Sequence, residues 1–136
     1  KCGHNPIVFG DYNKARDYID VSDVNAFHIL CMENEKTANQ TFNLGTGKMT
    51  NLMELKNMIA DIMGVNVDFD HYDPIAGEAL HIRGDISKAM SMGWKPNKDI
   101  TDTIKETIVY LEHEIEEGTI DPLTFMEDLE IEKVKI

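Results

Sequence analysis

Positive charge is scarce in this chain of 136 residues: 13 lysines and arginines stand against 25 aspartates and glutamates, a net charge of −12. A surface this acidic repels the phosphate backbone of nucleic acid and the anionic face of a membrane, which excludes both as expected partners. Cysteine is scarcer still. Cys2 and Cys31 are the only two, and neither belongs to a CxxC pair. They read as reduced thiols of a cytoplasmic protein. No run approaches the ~18 apolar residues of a membrane helix, and no charged-then-apolar leader opens the chain. The five histidines (His4, His28, His71, His81, His113) lie far apart without ligand spacing, so no metal site is expected.

Catalytic spacings are missing as well. Tyr12, Tyr18, Tyr72 and Tyr110 are followed four residues later by Arg16, Ser22, Ala76 and Glu114, so no tyrosine has a lysine placed to lower its pKa. No Ser–His–Asp or Cys–His arrangement can be nominated from spacing, and no catalytic residue is assigned. The stretch GTGK (45–48) fails as a phosphate loop, with Phe42 and Met49 where a glycine and a hydroxyl residue are required. It fails equally as a dinucleotide fingerprint, with Thr50 in place of the third glycine. It reads as a strand-to-helix turn, and the chain shows no means of its own to hold NAD.

What is present suits one domain: 42% apolar residues in a length that supports a single core. The periodicity predicts strands at 7–9 and 17–21, then a helix capped by Ser22 or Asp23 that carries Val24, Phe27, Leu30 and Cys31. A strand at 41–45 and a helix capped by Thr50 or Asn51 and stopped by Gly64 follow. A half-buried strand at 65–72, a short strand near 80–82, a short helix from Asp85 to Gly93 and a long helix from about Thr101 to Gly118 complete an α/β pattern. The strand TFNLG at 41–45 has few partners in such a chain.

Arg16 stands out. It sits between two expected strands, within PIVFGDYNKARDYIDVSDV (6–24). One reading is a surface arginine paired with Asp11, Asp17 or Asp20. The other is a diphosphate clamp, because a planar guanidinium grips phosphate oxygens in two bonds and Phe9 upstream offers a face to a base.

That stretch resembles the P-x-x-F-G-D-G-x-x-x-R-D-[FY]-[IV]-x-V-x-D segment of the extended short-chain dehydrogenases, specifically the NAD-dependent nucleotide-sugar epimerases and dehydratases. TFNLGTGKMTNLMELKNMI (41–59) is similar to that family's F-N-[LV]-G-T-G segment. GEALHIRGDISKAMSMGWKP (77–96) is similar to its P-G-E … D-[IA]-S-K-A … G-W-x-P segment, and DITDTIKETIVYL (99–111) to its closing helix. The resemblance implies the C-terminal, substrate-binding portion of that enzyme, residues 1–113, plus the last strand of its Rossmann-type sheet (Asn43-Leu44-Gly45), without the NAD-binding N-terminal part. Residues 114–136 would be an acidic extension that covers apolar surface or mediates assembly. A start at Lys1 fits a piece of a longer protein.

For the residues, the resemblance implies that Arg16 grips the nucleotide diphosphate and that Ile7, Val8 and Phe9 line the base pocket. Asp23 would be a structural cap and hydrogen-bond anchor. Ile75-Ala76-Gly77 replaces the family's Arg-Pro-Gly, which removes one phosphate arginine; Arg83 or His81 would substitute. NAD serves the intact enzyme and is not expected to be held by this chain alone. The expected partners are a nucleotide-diphosphate sugar, the missing N-terminal half or a partner chain, and a second copy in a homo-oligomer. The alternative is a non-catalytic module, from a truncated or split gene, that acts by pairing with itself or another chain.

Overall fold

The computed structural model describes residues 5–121; Cys2, His4 and the greater part of the acidic extension, 122–136, lie outside the described residues. Among the described residues, five short strands and four α-helices follow in the order β1 (Ile7–Phe9), β2 (Ala15–Arg16), α1 (Val21–Glu33), β3 (Thr50–Asn51), α2 (Leu52–Met63), β4 (Asp70–Tyr72), β5 (His81–Ile82), α3 (Ser87–Ser91) and α4 (Ile100–Glu116). β1 pairs with β4 in parallel. β2 is the middle strand of a separate sheet, antiparallel to β3 and parallel to β5.

The core is aromatic. Phe27 of α1 meets Trp94 at 5.6 Å and Phe42 at 5.0 Å, both edge-on, over the fully buried Ala89 of α3. Edge-to-face packing suits the positive rim and negative face of these rings. A buried indole N–H needs an acceptor, and the Trp94 Nε1 donates to the Asp23 carbonyl at 2.9 Å. The Asp23 carboxylate accepts the backbone N–H groups of Asn97 at 3.0 Å and Lys98 at 3.1 Å. Asp23 is thus the expected anchor, joining α1 to the chain 71 to 75 residues later.

The cap of α1, however, is Asp20 and not Ser22 or Asp23. Its Oδ1 accepts from the Ser22 amide at 2.8 Å and hydroxyl at 2.6 Å, and its Oδ2 accepts from the Thr103 hydroxyl of α4 at 2.8 Å. The strand expected over 17–21 does not form: β2 ends at Arg16, residues 17–20 are irregular, and the helix has begun by Val21. The strand expected over 41–45 also fails to form: these residues find no ladder partner among the described residues, and Phe42 and Leu44 pack on the aromatic core instead. The half-buried strand expected over 65–72 shrinks to β4, which pairs with β1 alone and whose three residues are all exposed.

Helix α2 follows its sequence signals. Asn51 and Glu54 form a reciprocal capping box, and Gly64 ends the helix at φ 65°, a conformation that costs a glycine little. Its apolar stripe faces that of α4 across an open groove of about 410 Å³, lined by Leu55, Ile59, Met63, Ile104, Ile108 and Leu111. The Gly45-Thr46-Gly47 turn between Phe42 and α2 closes on Asp17. That carboxylate accepts from the Thr46 amide at 2.7 Å and hydroxyl at 2.6 Å, and from the Gly47 amide at 2.9 Å. A Cβ on Gly45 would stand 2.5 Å from Asp17 Oδ2, so this glycine is required by close approach.

Two tests follow from this wiring. Ser22, with Thr103 and the Lys98 charge, holds the Asp20 carboxyl below its usual value against the opposing effect of burial. The folded state then binds fewer protons than the unfolded one, so this contribution is complete above about pH 4 and is lost as pH falls through the folded value. Urea midpoints measured across acid pH should fall less steeply in Asp20→Asn; an unchanged slope refutes the assignment. Gly45→Ala should destabilise by about 1–3 kcal/mol through overpacking. In an Asp17→Ala background the same substitution should cost less, and strict additivity would mean that the two sites do not touch.

Candidate functional site

The site grows out of the end of β1. Gly10, at φ +68°, donates its amide to the Tyr72 carbonyl at 2.9 Å and lies so close to Pro74 that a Cβ would meet its ring at 2.8 Å. This contact seats the loop from Pro74 to Leu80 against the start of β2. The loop is then stitched down by backbone bonds from Ala15 to Leu80 at 2.8 Å and from Asp17 to Ile82 at 3.2 Å.

Of the predicted residues, Phe9 is 42% exposed and leans on Tyr72 at 5.6 Å between ring centres. Ile7 shares its strand face and is half-buried, whereas Val8 points the other way and is 2% exposed. Arg16 lies within β2, not in a loop. Its Nη1 donates to the Ala15 carbonyl at 3.0 Å and the Leu80 carbonyl at 3.1 Å, and its Nη2 lies 3.4 Å from Glu78 Oε1. None of the three acids considered from sequence pairs with it: Asp11 holds the Asn13 amide, Asp17 the glycine turn and Asp20 the cap.

The other oxygen of Glu78 pairs with Lys14, whose ammonium also donates to the Phe9 carbonyl. Phe9, Lys14, Glu78 and Arg16 therefore form one connected set. Arg83 stands apart from it. Ile82 is the register partner of Arg16, so Arg83 and His81, its neighbours on either side, alternate to the opposite face. Arg83 instead borders a depression of about 450 Å³ with Gly47, Asp85 and Met90.

Sequence reasoning passed over Lys14 and Glu78 as functional candidates. Glu78 lies in one of the resembling segments, but its partners are 62 and 64 residues distant. A charge pair at that separation leaves no periodic signal.

No family model matches the chain. It is 37% identical over 109 residues to a putative UDP-glucose 4-epimerase of Methanocaldococcus jannaschii, covering 80% of this chain and 35% of that protein. Its fold matches the UDP-glucose 4-epimerase of Thermotoga maritima, solved with UDP-glucose, at a TM-score of 0.76 and 30% identity, over 83% of this chain and 36% of that one. A UDP-glucose 4-epimerase of Stenotrophomonas maltophila, solved with NAD and formylated UDP-arabinopyranose, matches at a TM-score of 0.67 and 32% identity, over 76% and 33%. The chain spans about a third of the length of the relatives it matches. It belongs to the extended short-chain dehydrogenases, among the nucleotide-sugar epimerases, and corresponds to a C-terminal portion of them.

Proposed function

We propose that this chain binds the nucleotide diphosphate of a nucleotide-diphosphate sugar, as the substrate side of an NAD-dependent epimerase or dehydratase working in the cytoplasm. The observation that carries this reading is Arg16. Its side chain is 26% exposed and is held at a strand by two carbonyls, which fixes the fork yet leaves it accessible. A fixed guanidinium loses little entropy on gripping phosphate oxygens. Phe9, linked to Arg16 through Lys14 and Glu78, offers a ring face to the base, with Ile7 on the same strand face and Val8 packing behind. Arg83, turned to the opposite face beside a separate depression, is not part of this set. Residues 1–113 form the binding portion in this reading; of the acidic extension, 122–136 lie outside the described residues.

NAD supplies hydride chemistry in such an enzyme, and the residues described here do not fit it. The Thr46 and Gly47 amides that a dinucleotide pyrophosphate would need are already taken by Asp17, and the space beside Gly45 is filled. No step of oxidation or reduction is assigned to this chain. Those groups would come from an N-terminal segment or a partner chain.

A second reading is favoured by the open apolar groove between α2 and α4. Here the chain is a non-catalytic module that pairs through this face with itself or another protein. Sedimentation over a concentration series tests the pairing: a dimer that Leu111→Glu dissociates supports it, and a monomer at every concentration refutes self-pairing through this face.

The principal test is a thermal melt with and without millimolar UDP. With a Kd near ~10 μM, a hundredfold excess should stabilise the parent by about 2.7 kcal/mol. Arg16→Ala should melt cooperatively and ignore UDP. A parent whose melt ignores UDP and other nucleoside diphosphates would refute the assignment.

A further inference from the structure

Arg16 does not face solvent as an isolated cation. Glu78 Oε1 lies 3.4 Å from its Nη2 and, taken alone, would cancel its charge toward an incoming anion. The second oxygen of that carboxylate is engaged by Lys14. The Lys14 side chain is 7% exposed, against 26% for Arg16 and 31% for Glu78. Burying an ammonium costs desolvation, which is offset only where a counter-charge and further acceptors meet it. Here the counter-charge is Glu78 and the further acceptor is the Phe9 carbonyl. Lys14 stands just before β2, two positions from Arg16, and both side chains reach Glu78.

We propose that Lys14 is a positioning residue that keeps Arg16 available to a diphosphate by serving as the counter-ion of Glu78. The inference rests on the reading of Arg16 as the diphosphate contact. The three charges sum to +1 at the site. Without Lys14 they sum to zero, and Glu78 turns its full charge on Arg16. The same ammonium ties the Phe9 carbonyl to Glu78, so one residue couples the base side of the site to its phosphate side. Because Lys14 is itself enclosed, its effect on a ligand passes through Glu78.

Charge rescue separates this role from simple packing. Lys14→Gln keeps a hydrogen-bond donor and removes the charge, and Lys14→Gln/Glu78→Gln restores the local sum of +1. UDP would be titrated calorimetrically into the full 136-residue chain and its variants at two salt concentrations, with inorganic pyrophosphate as a competitor that has neither ribose nor base. Lys14→Gln should weaken UDP about tenfold and flatten the salt dependence. The double variant should recover most of that loss, and pyrophosphate should follow the same order.

If Lys14→Gln binds as the parent does, while Arg16→Ala does not bind, the inference is overturned and the diphosphate reading survives. A double variant no tighter than Lys14→Gln also overturns it, because packing loss is not repaired by neutralising Glu78. A parent that binds neither probe removes the diphosphate reading itself. Should Lys14→Gln fail to melt cooperatively, Glu78→Gln decides through pyrophosphate alone: equal or tighter binding supports the inference, and weaker binding overturns it.

Discussion

The two-residue strand Ala15–Arg16 joins segments that the sequence keeps far apart. Its ladders reach Thr50–Asn51 on one side and His81–Ile82 on the other. Backbone bonds from Leu52 to Lys14, from Ala15 to Leu80 and from Asp17 to Ile82 extend the grip beyond the strand itself. Side-chain alternation then divides the chemistry. Lys14 and Arg16 turn toward Glu78, while Asp17 turns toward the glycine turn and closes it. A strand this short gains little from its own hydrogen bonds, each worth about 1 kcal/mol net. It holds because the surrounding loops are pinned separately, by Pro74 against Gly10 at one end and by the Asp20 cap at the other.

Local chemistry was legible in the sequence; pairing was not. The capping box at Asn51 and Glu54, the left-handed stop at Gly64 and the long helix α4 follow from residues within a few positions of one another, and the structure has them where expected. The errors share one cause. TFNLG carries strand composition, but a strand exists only through a neighbour, and its apolar side chains were drawn to Phe27 and Trp94 instead. The run 17–21 looked extended until Asp20 found Ser22 and Thr103 and began the helix early. Motif order made the family legible without any of these details, since it depends on residue identities and not on which strands meet.

The same distinction explains the site. Arg16 and Phe9 were visible as residue types suited to phosphate and base. Their surroundings were not, because Glu78 approaches Arg16 from a loop whose path depends on the β1–β4 pairing. Ile75 stands where the resembling family carries an arginine, and it is exposed at the head of that loop. Arg83 and His81 were the evident substitutes by sequence proximity, yet strand alternation turns both away from Arg16. Lys14, which was not considered, is the cation the fold brings into contact with Glu78.

The proposed anion site, on a protein of net charge −12, looks contradictory until distance is considered. At physiological ionic strength, charges beyond about 8 Å are largely screened, so most of the carboxylates act weakly on a phosphate at Arg16. The ion-paired set Lys14–Glu78–Arg16 itself sums to +1. Close contacts in a partly desolvated setting outweigh many distant ones, by roughly the fourfold difference between an effective dielectric of about 20 and that of bulk water. Affinity would then be governed by a few local groups, while the acidic remainder slows the approach of the anion and makes encounter faster at higher salt. Overall composition therefore weighs against an extended polyanion such as nucleic acid, which must lie across many carboxylates at once, more than against a compact diphosphate.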